Sequence, residues 1–391
     1  MLAGIKREFR LLYSSKEQSQ NGRRITYLDM IRGIAIFLVV VGHSGLISHE
    51  RNIWLSTFHL PAFFFVSGML MQEKKEDEQD YIKIVLRKAK GIMLPYVWFS
   101  AGSLLVDAIQ IWRGEFTKDI LSEHFIQTIT LQGYSVLWFL PVLFIAEVLV
   151  LFLYKIMKRC KLTSKYLYLA VFGISVCLAV AAYYVYQAAL GANLPVLLTA
   201  EIRIVIKAVI AMGFVSGGGL VATALKKFGK KEKLSKEGFR AWLSDFNVIG
   251  LLLGGILSAI NVLAVPYIQI MDFNNVNLGN PLVYLGLGFT GTMGVLFICR
   301  SISNIPLITF YGQNSLIVMC THLNFYVLNA GMVIGRDVFV PLPGPDGLQF
   351  MISSIVCTML LEIPVILLIR IFFPFVLGRG YKRSGSAEKK K

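Results

Sequence analysis

The sequence predicts an all-α, polytopic integral membrane protein with about ten transmembrane helices. Of its 391 residues, 55% are hydrophobic, which is more than a soluble globular domain usually contains. Several apolar stretches reach the roughly 20 residues that a helix needs to cross a hydrocarbon core. Because backbone in lipid must satisfy its own hydrogen bonds, runs of this length are expected to be helices.

The apolar stretches follow one another along the chain with short connections. We expect spans at about 27–46, 53–71, 91–112, 136–154, 166–190, 204–225, 246–270, 282–299, 305–334 and 350–369. The ninth stretch is long enough to be tilted or broken. No connection is long enough for a second folded domain, so we predict one transmembrane domain, 25–378, between a basic segment, 1–24, and a basic tail, 379–391.

The basic residues predict the orientation of these spans. The formal net charge is +16, and most cations cluster before span one, after spans two, four and six, and in the tail. The opposite side receives Arg51, Arg113, Lys118, Arg203 and Arg336. Cytoplasmic loops are enriched in Lys and Arg, so both termini are predicted to be cytoplasmic. The excess charge therefore indicates orientation in a membrane rather than binding to nucleic acid.

Ionisable residues on one face of the first span are the main candidates for a functional site. Arg32 lies near its predicted cytoplasmic end, and His43 lies eleven positions later, near the outer end. This spacing is three helical turns plus about 20°, so the side chains share a face and are about 16 Å apart along the axis. Ionisable residues within a membrane are expensive and mark functional sites. Asp29 lies three positions before Arg32 and can pair with it.

Two further groups of polar residues lie at the ends of neighbouring spans. His59 is near the outer end of the second span, at about the depth of His43. Arg87, Lys88 and Lys90 lie at the expected cytoplasmic mouth of the third span. Cations at this position are expected from orientation alone, and they are equally suited to bind phosphate groups from the cytoplasm.

Three ionisable residues, Glu147, His322 and Glu362, are predicted to lie well inside the fourth, ninth and tenth spans. An unpaired charge there costs at least about 2.5 kcal/mol, so each is expected to have a partner, to be neutral or to line water. A structural pair, such as Glu362 with Arg32 or with a histidine, is the simplest interpretation. The histidines have no metal-ligand spacing, and the five cysteines are scattered, so neither a metal nor a disulfide framework is expected.

These polar positions resemble the motifs of the membrane acyltransferase-3 family. The first span resembles the family's signature of an arginine, ten residues and a histidine. The segment Phe58-His59-Leu60-Pro61…Phe65-Val66-Ser67-Gly68 is similar to the second-helix motif of the family, especially in members resembling fucose 4-O-acetylases. Weaker matches are Trp138-Phe139-Leu140-Pro141, Gly312-Gln313-Asn314-Ser315-Leu316 followed by His322, and Glu362-Ile363-Pro364. Many members place two arginines three apart before the third helix, where this chain has Arg87 and Lys90.

The resemblance, which covers about residues 24–378, implies an O-acyltransferase of a bacterial inner (plasma) membrane. Such an enzyme moves an acetyl or other short acyl group from cytoplasmic acetyl-CoA to a sugar hydroxyl of a surface glycan or its lipid-linked precursor. The expected donor-binding residues are Arg32, Arg87, Lys88 and Lys90. The expected catalytic residues are His43, Arg32, His59, Asp29 and Glu362. The expected substrate-binding residues are His59, Ser67, Trp138, Asn314 and His322.

The spacing of the first span fits this activity. The basic mouth would hold the nucleotide of acetyl-CoA, while the extended pantetheine arm, comparable in length to the ~16 Å from Arg32 to His43, presents the thioester near the outer leaflet. Neutral His43 would accept the hydroxyl proton or form a covalent acyl-histidine.

Several alternatives stay open from the sequence. A transporter or flippase of a glycan precursor, and a non-catalytic scaffold, also fit polar residues at membrane depth. Trp138 and other outer aromatic residues suit a sugar site, and they equally suit an interfacial belt. The sequence does not distinguish general-base catalysis from an acyl-histidine.

Overall fold

The computed structural model describes residues 25–162, 164–192, 195–228, 247–268, 270–302, 304–339 and 347–378. The predicted terminal segments, 1–24 and 379–391, lie outside these ranges, as does most of the basic loop after the sixth span. Within the described ranges the chain is helical and contains no strand beyond an isolated bridge between Asp272 and Asn277. The predicted all-α fold is confirmed.

The helices follow the predicted order along the chain. The first seven are α1 (Thr26–His43), α2 (His49–Glu73), α3 (Tyr81–Lys88), α4 (Leu94–Trp112), α5 (Lys118–Ile129), α6 (Phe139–Lys158) and α7 (Ser164–Gly191). The next seven are α8 (Val196–Phe228), α9 (Val248–Ala264), α10 (Pro281–Ser301), α11 (Pro306–Gln313), α12 (Ser315–Thr321), α13 (Val327–Phe339) and α14 (Leu348–Phe372). Among the described residues, nine helical segments are long and apolar enough to cross a membrane.

Two predicted spans differ from the observed helices. The ninth, 305–334, is broken into α11, α12 and α13, and its first break lies at Asn314, where the backbone leaves helical geometry (φ −115°, ψ 11°). The third begins at Tyr81 rather than near residue 91, because a π-helical turn, Ala89–Met93, joins α3 to α4. Single π turns within α-helices often occur at functional sites.

Helices α2 and α8 form the centre of the bundle. Helix α8 packs against α2, α6 and α7, and α2 also contacts α1 and α10. In the apolar 18-residue stretch within Leu198–Lys226 of α8, 78% of the residues are buried, whereas in the stretch within Val248–Tyr267, at α9, only 17% are buried. The exposed apolar side chains of α9 are expected to face lipid, which is as apolar as they are.

Helices α1 and α11 approach each other closely through glycine residues. A Cβ atom on Gly33 would lie 2.0 Å from the carbonyl oxygen of Ile308, and one on Gly312 would lie 1.7 Å from that of Asp29. Small residues allow membrane helices to pack at such short distances. This contact fixes the broken ninth segment against the first helix.

Gly312→Ala is expected to destabilise the fold by about 1–3 kcal/mol, because its methyl group would overlap the backbone of α1. Gly255→Ala is the matched control, since no atom lies within 4 Å of the added methyl group. The control is expected to be neutral or stabilising by up to about 1 kcal/mol, from helix propensity. Thermal unfolding in detergent measures both variants, and equal melting temperatures would contradict the close contact of α1 with α11.

Candidate functional site

Helix α1 ends at His43 for a local reason. Ser44 caps the helix, and Gly45 follows with φ +68°. Glycine adopts this left-handed conformation without a steric penalty, and helices commonly end in this way. The helix end places the His43 side chain at the edge of a cavity.

This cavity has a volume of about 390 Å³ and is named here the histidine cavity, because His43, His49 and His59 line it. Its walls come from the C-terminal end of α1, the N-terminal half of α2, the start of α6 and the loop between α9 and α10. Its further polar lining residues are Asn52, Ser56, Ser135, Asp272, Asn274 and Asn275. The two histidines that the sequence placed at one depth, His43 and His59, thus share one cavity.

A hydrogen-bond chain links His43 to the broken ninth segment. His43 Nδ1 lies 2.9 Å from Nε2 of His322, and the two rings are stacked with centroids 5.1 Å apart. His322 is fully buried, and its Nδ1 lies 2.7 Å from the carbonyl oxygen of Val318. A carbonyl only accepts, so we assign the His322 proton to Nδ1, which leaves its Nε2 as an acceptor.

This assignment determines the tautomer of His43. Its Nδ1 must carry the proton that His322 Nε2 accepts, so the other ring nitrogen, Nε2, carries a free lone pair. A neutral imidazole held in this tautomer is able to accept a proton or to attack a carbonyl.

His59 is bound to its own helix in a similar way. It is 9% exposed, and its Nδ1 bonds to the carbonyl oxygen of Leu55 one turn earlier. Nε2 of His59 is therefore also unprotonated and available as an acceptor. His59 lines the histidine cavity beside His43, but the group that positions His43 is His322.

A second cavity, of about 370 Å³, lies at the opposite end of α1. We name it the basic cavity, because its lining includes Arg32, Lys74, Arg87 and Lys88. Ser67 lines this cavity and not the histidine cavity. Lys90 is exposed and does not belong to the lining of the basic cavity.

The charge of Lys88 is neutralised within the protein. Its Nζ lies 2.7 Å from Glu76 Oε2 and 2.8 Å from Glu147 Oε2, and the side chain is 9% exposed. The Ser67 hydroxyl donates to the other oxygen of Glu147. Because two carboxylates more than offset this buried charge, Lys88 forms part of the wall of the basic cavity and does not contribute to its positive potential.

The accessible positive charge of the basic cavity comes from other residues. Arg32 lies 3.7 Å from the Asp29 carboxylate with 32% of its side chain exposed, and Arg87 lies 3.1 Å from Glu76 with 51% exposed. Burial lowers the pKa of Lys74, and nearby Glu76 acts in the opposite direction. These three cations line a cavity that suits an anionic ligand.

The two cavities meet at a wall of two side chains. Phe139 and Met319 line both cavities. The Phe139 ring packs against Phe63 and Phe64, with centroids 5.7 and 5.0 Å apart, and Met319 is 4% exposed. We name this pair the dividing wall. It separates the cavity with the accessible cations from the cavity with the neutral histidines.

Five of the predicted site residues lie outside both cavity linings: Asp29, Lys90, Asn314, His322 and Glu362. Asn314 donates to the Phe310 carbonyl at 2.7 Å and accepts from Arg370 Nη1 at 3.0 Å, where it stabilises the break after α11. Glu362 is fully buried, and both of its oxygens accept from Thr321 Oγ1, at 3.0 and 2.9 Å. The expected pair of Glu362 with Arg32 is not formed, because α12 presents a hydroxyl to this carboxyl group.

Residues on α8 and on the loop that closes the histidine cavity are functional candidates that were not predicted from the sequence. Lys207 is 3% exposed within a membrane span, so the criterion that selected Glu147 would also have selected it. Its Nζ lies 4.2 Å above the ring of Trp138, which lines the histidine cavity. No sequence signal places residues 270–275 over this cavity, because the loop lacks a recognisable motif.

The comparisons with known proteins agree with this architecture. A family model described as an acyltransferase domain matches residues 25–378. Neither the curated proteins nor the solved structures gave a match. In the part of the chain that the structure describes, no group of three or more His, Cys, Asp or Glu residues is arranged to hold a metal ion. Because the matched range covers nearly the whole chain and contains all nine apolar helices, the protein belongs to the membrane acyltransferase-3 family and is a multi-pass membrane acyltransferase.

Proposed function

We propose that this acyltransferase moves an acetyl or other short acyl group from acetyl-CoA to a sugar hydroxyl of a cell-surface glycan or its lipid-linked precursor. The observation that carries the proposal is the arrangement along α1, with Arg32 in the basic cavity and His43 in the histidine cavity. The distribution of Lys and Arg favours a cytoplasmic basic cavity in a bacterial plasma membrane. In that orientation the histidine cavity faces the glycan side.

The basic cavity supports binding of the donor. Arg32, Lys74 and Arg87 provide accessible cations, which attract the phosphates of coenzyme A. The distance of about 16 Å between positions 32 and 43 along a helix matches an extended pantetheine arm. The nucleotide then stays in the basic cavity while the thioester reaches the dividing wall, Phe139 and Met319.

The histidine cavity supports the transfer step. The acceptor hydroxyl gives its proton to the free Nε2 of His43 while its oxygen attacks the thioester carbonyl. The new C–O ester bond forms, the C–S bond breaks, and the proton passes from His43 to the sulfur of coenzyme A. His59 Nε2, in the same cavity, accepts a hydrogen bond from the acceptor. Transfer through an acyl-histidine uses the same lone pair of His43.

The direct test is transfer by the purified protein. Radiolabelled acetyl-CoA and extracted surface glycans are incubated with the full chain in nanodiscs, and new esters are identified by mass spectrometry. The proposal expects labelled glycan that carries an acetyl ester. Movement of a glycan precursor across the membrane without any new ester would instead support the transporter alternative, and unchanged surface acetylation after His43→Ala would support a scaffold.

Replacement of Arg32 is expected to weaken donor binding, whereas replacement of His43 is expected to abolish turnover. Arg32→Ala removes a charged contact with the donor, so its Kd for acetyl-CoA should rise about ten- to a hundredfold. His43→Ala should abolish turnover while the donor still binds, because only the reacting base is lost. Binding is measured by calorimetry and turnover by ester formation, with Arg113→Ala as an exposed control. Equal loss of donor binding in both variants would contradict the separation of roles.

His322 is expected to act as a positioning residue for His43. His322→Leu removes the acceptor of the Nδ1–H bond, so kcat should fall by about 10²–10⁴ with little change in the KM for acetyl-CoA. His322→Gln keeps a carbonyl that accepts this bond and should retain more activity. Steady-state kinetics of both variants provide the test. Equal kcat values for the two, or a loss confined to KM, would exclude the assigned tautomer.

The dividing wall is expected to control passage of the acyl group. Met319→Trp enlarges a side chain that lines both cavities, so acetyl transfer should fall by at least about tenfold through misplacement of the thioester. Donor binding should be retained, because the cations are unchanged. Leu263→Trp introduces the same side chain at a position that is 70% exposed on α9. A similar rate in both variants would show that the acyl group does not pass this wall.

A further inference from the structure

A third, smaller cavity lies beside the histidine cavity. It has a volume of about 230 Å³ and is named here the cation pocket, because Arg203 and Lys207 of α8 line it. Its other polar side chains belong to Gln127, Gln132, Ser135 and Asn274. Two of these, Ser135 and Asn274, also line the histidine cavity, so the two cavities are neighbours with shared walls.

Lys207 is a buried cation with neutral partners. It is 3% exposed, its Nζ donates to Asn274 Oδ1 at 3.0 Å, and the Trp138 ring lies 4.2 Å away. No ion pair within 4.0 Å joins Lys207 to a carboxylate among the described residues, and the Asp272 carboxylate acts on it only from a greater distance. An amide and an aromatic ring lower the penalty for burying this charge, but they do not neutralise it.

Arg203 adds a second unbalanced cation one helical turn earlier. Its Nη1 donates to Asn275 Oδ1 at 3.3 Å, and its Nε is buried without a hydrogen-bond partner among the described residues. Residues four positions apart on a helix share a face, and like charges there repel each other. An anion between the two cations would remove this repulsion and accept the free N–H of Arg203.

We propose that the cation pocket binds an anionic group, a phosphate or a carboxylate, of the sugar acceptor. This inference rests on the proposed function and narrows its acceptor to acidic or phosphorylated sugars. Trp138 has Lys207 on one face and contributes to the histidine cavity. An acceptor anchored by its anion beside Trp138 would therefore place a neighbouring hydroxyl in the cavity that contains His43.

The test uses simple sugars as probes with the full chain in phosphatidylcholine nanodiscs. Glucose 1-phosphate and glucuronic acid represent the two anionic groups, and glucose is the neutral control. We expect at least one anionic probe to bind at least tenfold more tightly than glucose. Lys207→Gln and Arg203→Gln should each abolish that difference, whereas Arg113→Gln, an exposed cation on the same predicted side, should keep it. The probe that binds identifies phosphate or carboxylate as the recognised group.

A second measurement separates ligand binding from a structural role. If the cations only hold Asn274 and Asn275 in place, Lys207→Gln should lower the melting temperature without any probe. The proposal expects the melting temperature to be unchanged or higher, because an unbalanced buried charge is removed, and expects the stabilisation by the anionic probe to disappear. Equal stabilisation of the wild type and both variants by the probe would overturn the proposal.

Two further outcomes distinguish a lipid ligand from a sugar ligand, and failure of this inference from failure of the proposed function. The pocket could be saturated in phosphatidylglycerol nanodiscs while no sugar probe binds in phosphatidylcholine nanodiscs. That result would identify a lipid head group as the ligand and overturn the acceptor assignment. His43→Ala should bind the anionic probe as the wild type does. Probe binding with no ester formation on any glycan would therefore refute the proposed function alone, whereas glycan acetylation without selective binding of anions would refute this inference alone.

Discussion

A histidine at the end of a membrane helix needs an acceptor for the ring N–H that faces the protein, and His322 provides it. The Val318 carbonyl determines the tautomer of His322, and His322 in turn determines that of His43. If either ring carried its proton on the other nitrogen, two donors or two acceptors would face each other in this partly buried contact. The free lone pair of His43 therefore depends on the Val318 carbonyl, one helical turn before His322.

Positive charge is compensated differently in the basic cavity and in the cation pocket. In the basic cavity each buried cation has a carboxylate partner, so Glu76 and Glu147 offset Lys88. In the cation pocket the partners of Lys207 and Arg203 are the neutral amides of Asn274 and Asn275. The first arrangement is stable without a ligand, whereas the second leaves a local field that an anion would neutralise. The Lys88 network is therefore structural, whereas the accessible cations of the basic cavity and those of the cation pocket remain available to anionic ligands.

The hydrophobic stretches predicted most of the helices, because the length and apolarity of a segment can be read from the local sequence. The long ninth stretch was recognised as unusual, but the location of its breaks depends on Asn314, whose side chain is held by a distant arginine on α14. The predicted residues Arg32, His43 and His59 do line cavities. The Asp29 partner of Arg32 was readable from its spacing. The partners of His43 and Lys88 were not, since His322 lies 279 positions from His43 and Glu147 lies 59 positions from Lys88.

The dividing wall lies between the histidine cavity and the basic cavity, because Phe139 and Met319 line both of them. Phe139 is held by two aromatic neighbours, so it is the rigid part of the wall. Met319 is unbranched and adapts its shape readily, and side chains change rotamer far faster than an enzyme turns over. Under the proposed function, a thioester would therefore need only a side-chain movement to reach His43, and the packing of the helices would not have to change.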